Sequence, residues 1–187
     1  MSTSVIIPLA SGCEEMEAVI LIDTFRRADW KVVAAGVDDQ VIDCSRNVRL
    51  LADASWEDLD VSSFDMIVLP GGQKGTDRLM TFQPLLDALV DFHQRGKTVA
   101  AVCAGPLVLQ QAGILEDVEF TSHPSVADRF TDKRHLLTPC VVIDGTIVTS
   151  QGPGTSFAFA LALVAMRDGQ ATADALASGM ILPPKGS

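Results

Sequence analysis

Short apolar runs punctuate the chain at residues 5–9, 31–36, 66–69 and 98–102, and longer helix-like stretches separate most of them. Strands that read as nearly unbroken apolar runs are buried on both faces. Alternated with helices, they build a parallel sheet covered on both sides, so the pattern points to an α/β fold. The helical stretches fall at residues 14–28, 82–94, 107–112 and 155–166. A β excursion is expected around residues 41–44 and 47–51. Ser55, with Asp58 three residues on, marks a helix start. Near the end, residues 141–143 and 146–148 flank Asp144-Gly145, a two-residue hairpin signal.

A length of 187 residues suits one domain, taken as residues 1–187, and no internal repeat or linker interrupts it. The composition is 48% hydrophobic, but the longest apolar runs are strand-sized and broken by charges, so no membrane span is expected. The first residues lack the basic segment and long apolar stretch of a signal peptide, which makes the cytoplasm the default location. A net charge of -10 argues against a binder of nucleic-acid backbones, which needs clustered Lys and Arg. Cys13, Cys44, Cys103 and Cys140 lie far apart with no C-x-x-C, so neither zinc-ribbon nor thioredoxin-type spacing is present. The three histidines are too scattered to suggest a metal site.

Cys103 lies where residues 98–102 meet Ala104-Gly105-Pro106 and a new helical pattern. A thiol at such a corner faces the unpaired N–H groups of a helix N-terminus, which favour the thiolate and predict a pKa well below that of a free thiol. The alternative is a buried core cysteine. Glu17 shares a helix face with Ile20 and Leu21, so a desolvated carboxyl able to carry a proton competes with the plainer reading of an acid decorating a helix start. His123, in Thr121-Ser122-His123-Pro124, is either at the mouth of the same sheet edge or a structural histidine. Gly71 and Gly72 follow a strand, where their N–H groups form an anion pocket or simply a tight turn. Gly152-Pro153-Gly154 carries the same two readings.

Five blocks recur together: Gly12-Cys13-Glu14-Glu15-Met16-Glu17, Cys44-Ser45-Arg46, Leu69-Pro70-Gly71-Gly72, residues 101–106, and residues 149–156. In this order and spacing they resemble the DJ-1/PfpI superfamily, nearest its deglycase and YajL branch. The resemblance implies a flavodoxin-like three-layer sandwich, with a mainly parallel central sheet and helices on both faces, assembled as a homodimer. It also implies a reactive Cys103 hydrogen-bonded to a protonated Glu17, with His123 nearby. Gly71, Gly72 and Ala104 would then supply backbone donors to the substrate, and Arg46 would reach the partner subunit's site.

The activity this implies is cofactor-independent removal of reactive dicarbonyls such as methylglyoxal and glyoxal, or of their early adducts on glycated proteins, without a metal. The alternative is an oxidative-stress sensor or redox-regulated chaperone acting through Cys103. Two departures matter. Gln151 stands where one branch of the family carries an arginine, which weakens the case for phosphate-bearing substrates. The tail from Gly179 to Pro184 is too proline-rich for an extra terminal helix.

Overall fold

The computed structural model describes residues 2–130 and 134–183. In chain order the regular elements begin with β1 (Ser4–Leu9), α1 (Glu15–Arg27), β2 (Lys31–Gly36), β3 (Val41–Asp43), β4 (Arg49–Leu51) and β5 (Ala54–Ser55). Then come β6 (Met66–Leu69), α2 (Gln73–Leu79), α3 (Gln83–Gln94), β7 (Thr98–Val102) and α4 (Pro106–Gln111). The last are β8 (Val141–Asp144), β9 (Ile147–Ser150), α5 (Ser156–Asp168) and α6 (Gln170–Gly179).

Seven strands form one sheet in the order β5-β2-β1-β6-β7-β9-β8, parallel except where β8 pairs antiparallel with β9. β3 and β4 pair antiparallel beside it as a separate hairpin. Alternate residues of the apolar runs feed opposite layers, as the two-residue period of a strand requires. Ile6, Ile67, Leu69, Val99 and Ala101 pack with Leu85, Leu89, Phe92 and Leu107. Val5, Ile7, Met66, Val68 and Ala100 pack with Leu21, Phe25, Phe159 and Leu163. Helices therefore cover both faces, giving the flavodoxin-like sandwich that the resemblance implies.

Three local differences from the sequence expectations have physical reasons. Ser55 makes no cap hydrogen bond and ends the edge strand β5, paired with Gly36, so only a short 3-10 turn (Trp56–Asp58) follows. The hairpin turn is Gly145-Thr146, because Asp144 still pairs with Ile147, and Gly145 takes the left-handed backbone at φ +58°. Two helices, α2 and α6, are additional to those read from periodicity. Only Ala173 of α6 is fully buried, which leaves its amphipathic signal weak.

Candidate active site

The sheet order reverses beside β1, whose chain crosses outward to β2 while β6 and β7 continue on the other side. In open α/β sheets the crevice outside the carboxyl ends at such a reversal is where ligands bind. The segments leaving β1, β6 and β7 each deliver one piece of the candidate site there: Glu17 on α1, Gly71-Gly72 before α2, and Cys103 before α4.

Cys103 has φ +63°, a left-handed backbone that costs a side-chain-bearing residue on the order of 1 kcal/mol. Hydrogen bonds on both sides hold it there. Its N–H donates to the Ser150 carbonyl at 3.0 Å, and its carbonyl accepts from the His123 N–H at 2.9 Å. The corner thus projects a half-buried thiol from the end of β7.

Glu17 is fully buried in the first turn of α1, whose N-cap is Glu14, with the Glu14 carboxylate accepting from the Glu17 N–H at 2.8 Å. One Glu17 carboxyl oxygen, Oε2, accepts from the Gly71 N–H at 2.6 Å. The other, Oε1, is buried without a well-formed hydrogen bond, and the carboxyl meets the Cys103 thiol. Burial pushes the Glu17 pKa from its ordinary 4.5 to about 7, against the pull of the Gly71 N–H and the thiol. Glu15, two residues earlier, goes the other way. Burial opposes its charge too, but the Ser45 hydroxyl at 2.9 Å and the Arg46 N–H at 2.8 Å hold its carboxyl below the usual range.

The thiol departs from the sequence expectation. Burial, then the neighbouring Glu17 carboxylate, push Cys103 up to about 12, while the Gly72 and Ala104 N–H groups pull it down. The two ionisations are coupled: burial raises both groups, and an ionised Glu17 pushes the thiol up further. The N–H groups of Gly72 and Ala104 act in the opposite direction, toward charge on the sulfur.

Gly71 is wedged between the partners. A Cβ there would lie 2.6 Å from Cys103 Cβ, 2.8 Å from Glu17 Oε2 and 2.9 Å from the Ala104 nitrogen. Its N–H is engaged by Glu17, so the backbone donors that face the sulfur are those of Gly72 and Ala104. Gly72 needs its glycine as well, with φ +91° and a backbone pressed against Gly12 and Glu14.

Beyond the thiol opens a cavity of about 670 Å³, with Gly12, Ser45, Arg46, Lys74, Cys103 and His123 in its wall. His123 Nδ1 accepts from the Ser125 N–H at 3.1 Å and lies 2.8 Å from the Ser125 hydroxyl, which leaves the neutral ring's proton on Nε2. Arg46 is exposed on the hairpin side of the same wall. Glu14 and Ser45, which lie within two of the sequence blocks, line the cavity too, as do Lys74 and Ser125, which lie outside any block. Among the described residues no group of three or more His, Cys, Asp or Glu could hold a metal ion.

A sheet of this order, with a thiol on a strand-to-helix corner and a buried carboxyl against it, defines a flavodoxin-like protein with a cysteine elbow. The chain belongs to the DJ-1/PfpI family, whose model matches residues 3–166. It is similar to the crystal structure of Drosophila melanogaster DJ-1beta, with a TM-score of 0.92 and 35% identity, covering 98% of this chain and 100% of that one. It is 32% identical to the Caenorhabditis elegans protein named glutathione-independent glyoxalase DJR-1.2, over 90% of each chain. It is 38% identical to Arabidopsis thaliana DJ-1 homolog B over 86% of this chain but 37% of that protein. The chain thus spans well under half the length of that relative.

Proposed function

We propose that the protein is a cofactor-independent thiol enzyme that converts small dicarbonyls such as methylglyoxal and glyoxal to hydroxy acids, acting on free dicarbonyl or on early adducts of glycated proteins. The observation that carries this reading is the contact between the buried Glu17 carboxyl and Cys103, which lies in the wall of a cavity. The sulfur adds to the aldehyde carbon to form a hemithioacetal, and its oxygen takes up a proton. Gly72 and Ala104 offer N–H groups to the negative charge that develops on that oxygen. Glu17 removes the proton from the former aldehyde carbon and returns one to the neighbouring carbon, which moves the oxidation level within the substrate. Water then cleaves the thioester, releasing the hydroxy acid and restoring the thiol. His123, its ring oriented by Ser125, assists proton transfer on the cavity side. The name of the nematode relative, a glutathione-independent glyoxalase, supports the same chemistry.

Members of this family are commonly dimeric, and the homodimer is the assembly we infer here. Met16 and Val19 stand exposed on α1, an apolar face for such a contact, and Arg46 would reach across it. No helix among the described residues is long and apolar enough to cross a membrane.

The assay is lactate production from methylglyoxal. The wild type is expected to form it and Cys103→Ser to fall to the uncatalysed rate; equal yields would refute the proposal. A second reading, an oxidation sensor, draws on the convergence of two N–H groups and a protonatable carboxyl on one sulfur, which suits the oxygens of a sulfinate.

A further inference from the structure

Two further thiols meet beside the cavity. Cys13, in the turn between β1 and α1, and Cys44, just after β3, bring their sulfurs to 3.7 Å. Both are free and buried, at 1% and 7% exposure. Their backbones are braced together around the contact: the Gly12 N–H donates to the Asp43 carbonyl at 2.7 Å, and the Ser45 N–H donates to the Cys13 carbonyl at 2.8 Å. Segments joined in this way run about 5 Å apart, inside the Cα separation of about 4.4–6.8 Å that a disulfide spans. Closing the sulfurs to a bond of about 2.05 Å therefore asks for side-chain rotation, with the chain left in place. The two thiols differ in access. Cys44 lines the cavity, whereas Cys13 lies behind it.

We propose that Cys13 and Cys44 form a second redox site, independent of Cys103: a dithiol that closes to an intrachain disulfide by exchange with a low-molecular-weight disulfide. The Cys44 thiolate, at the cavity wall, attacks one sulfur of the reagent, forming a mixed disulfide and releasing one thiolate. The Cys13 sulfur then attacks Cys44 Sγ and displaces the second reagent thiolate, which takes up the Cys13 proton. Two protein thiols are oxidised, and the reagent is reduced to two thiols. Burial holds both thiols in their protonated form, so the exchange is slow and the pair records sustained rather than brief oxidation. The bond would tie the β3–β4 hairpin, which brings Ser45 and Arg46 to the cavity wall, to the entry of α1, which carries Glu17.

The test uses the full chain, reduced and then equilibrated in glutathione buffers of rising oxidised fraction, quenched in acid, alkylated and digested for peptide mass analysis. A peptide pair linked through Cys13 and Cys44 is expected to accumulate to the same extent in the wild type and in Cys103→Ser. Cys13→Ser should stop at the glutathione adduct on Cys44, and Cys44→Ser should leave Cys13 open to alkylation after unfolding. Full alkylation of both residues across a series in which the exposed Cys140 becomes glutathionylated would overturn the proposal. A glutathione adduct on Cys13 in Cys44→Ser would overturn the order of attack. If a serine variant does not fold, the wild-type and Cys103→Ser digests still decide whether the bond forms. Because the readout is the covalent state of two residues, it stands or falls separately from dicarbonyl turnover.

Discussion

Replacing Glu17 with Gln separates the charge of the buried carboxyl from its shape. The folded protein binds the Glu17 proton more tightly than the unfolded chain does, with a pKa of about 7 against an ordinary 4.5, because the side chain is fully buried. Its contribution to stability is therefore complete below about pH 4.5 and is lost as the pH rises through about 7. At about 1.4 kcal/mol for each tenfold change in proton affinity, the loss comes to about 3 kcal/mol by mildly alkaline pH. Gln keeps the planar group, still accepts from the Gly71 N–H and carries no charge at any pH. Urea denaturation of wild type and Glu17→Gln across this range isolates the effect, since the titrating groups outside the Cys103–Glu17 pair cancel in the difference. The variant's advantage over the wild type should grow by about 3 kcal/mol from the acidic to the alkaline end. A difference that stays flat with pH would refute a carboxyl that is neutral in the fold and forced to ionise above neutrality.

Gly71→Ala forces a Cβ into the wedge between Cys103 and Glu17, where flanking backbone and a carboxyl oxygen leave no room. A loss of about 1–3 kcal/mol is expected from urea midpoints, together with slower alkylation of Cys103; an unchanged midpoint would count against the close packing. Under mild peroxide, oxidation to sulfinate should be confined to Cys103, as seen by peptide mass analysis of all four cysteines. An even spread of sulfinate would argue against a tuned site.

The sheet was legible because strands buried on both faces leave an unmistakable mark: β2, β6 and β7 begin and end where the apolar runs do. The short helix α2 left no such mark. Its sequence, Gln73-Lys74-Gly75-Thr76-Asp77, has poor helical propensity, and tertiary contact between Gly75 and the Cys13 backbone supports it instead. Cys103 was visible as a corner residue and Glu17 as an acid on a buried face. The direction of the thiol's pKa was not, because sequence displays the helix N-terminus that lowers it but conceals the burial and the facing carboxylate that raise it. The engagement of the Gly71 N–H by Glu17 and the meeting of Cys13 with Cys44 are products of chain crossing, and no local spacing encodes either.

Each component of the site is locally unfavourable: a cysteine at φ +63°, a carboxyl with no access to water, and a glycine that only a missing Cβ lets through. Gly71 and Cys103 follow the carboxyl ends of β6 and β7, and Glu17 stands in the first turn of the helix after β1; nearly all side chains of these strands are buried, and the strands are parallel neighbours in one sheet. The position of each group is thus dictated by a rigid strand end or the helix packed after it, and none can relax without disturbing a packed layer. This explains why an acid and a thiol that would each find water elsewhere are held against one another. The sheet fixes the separation, and the separation couples the two ionisations.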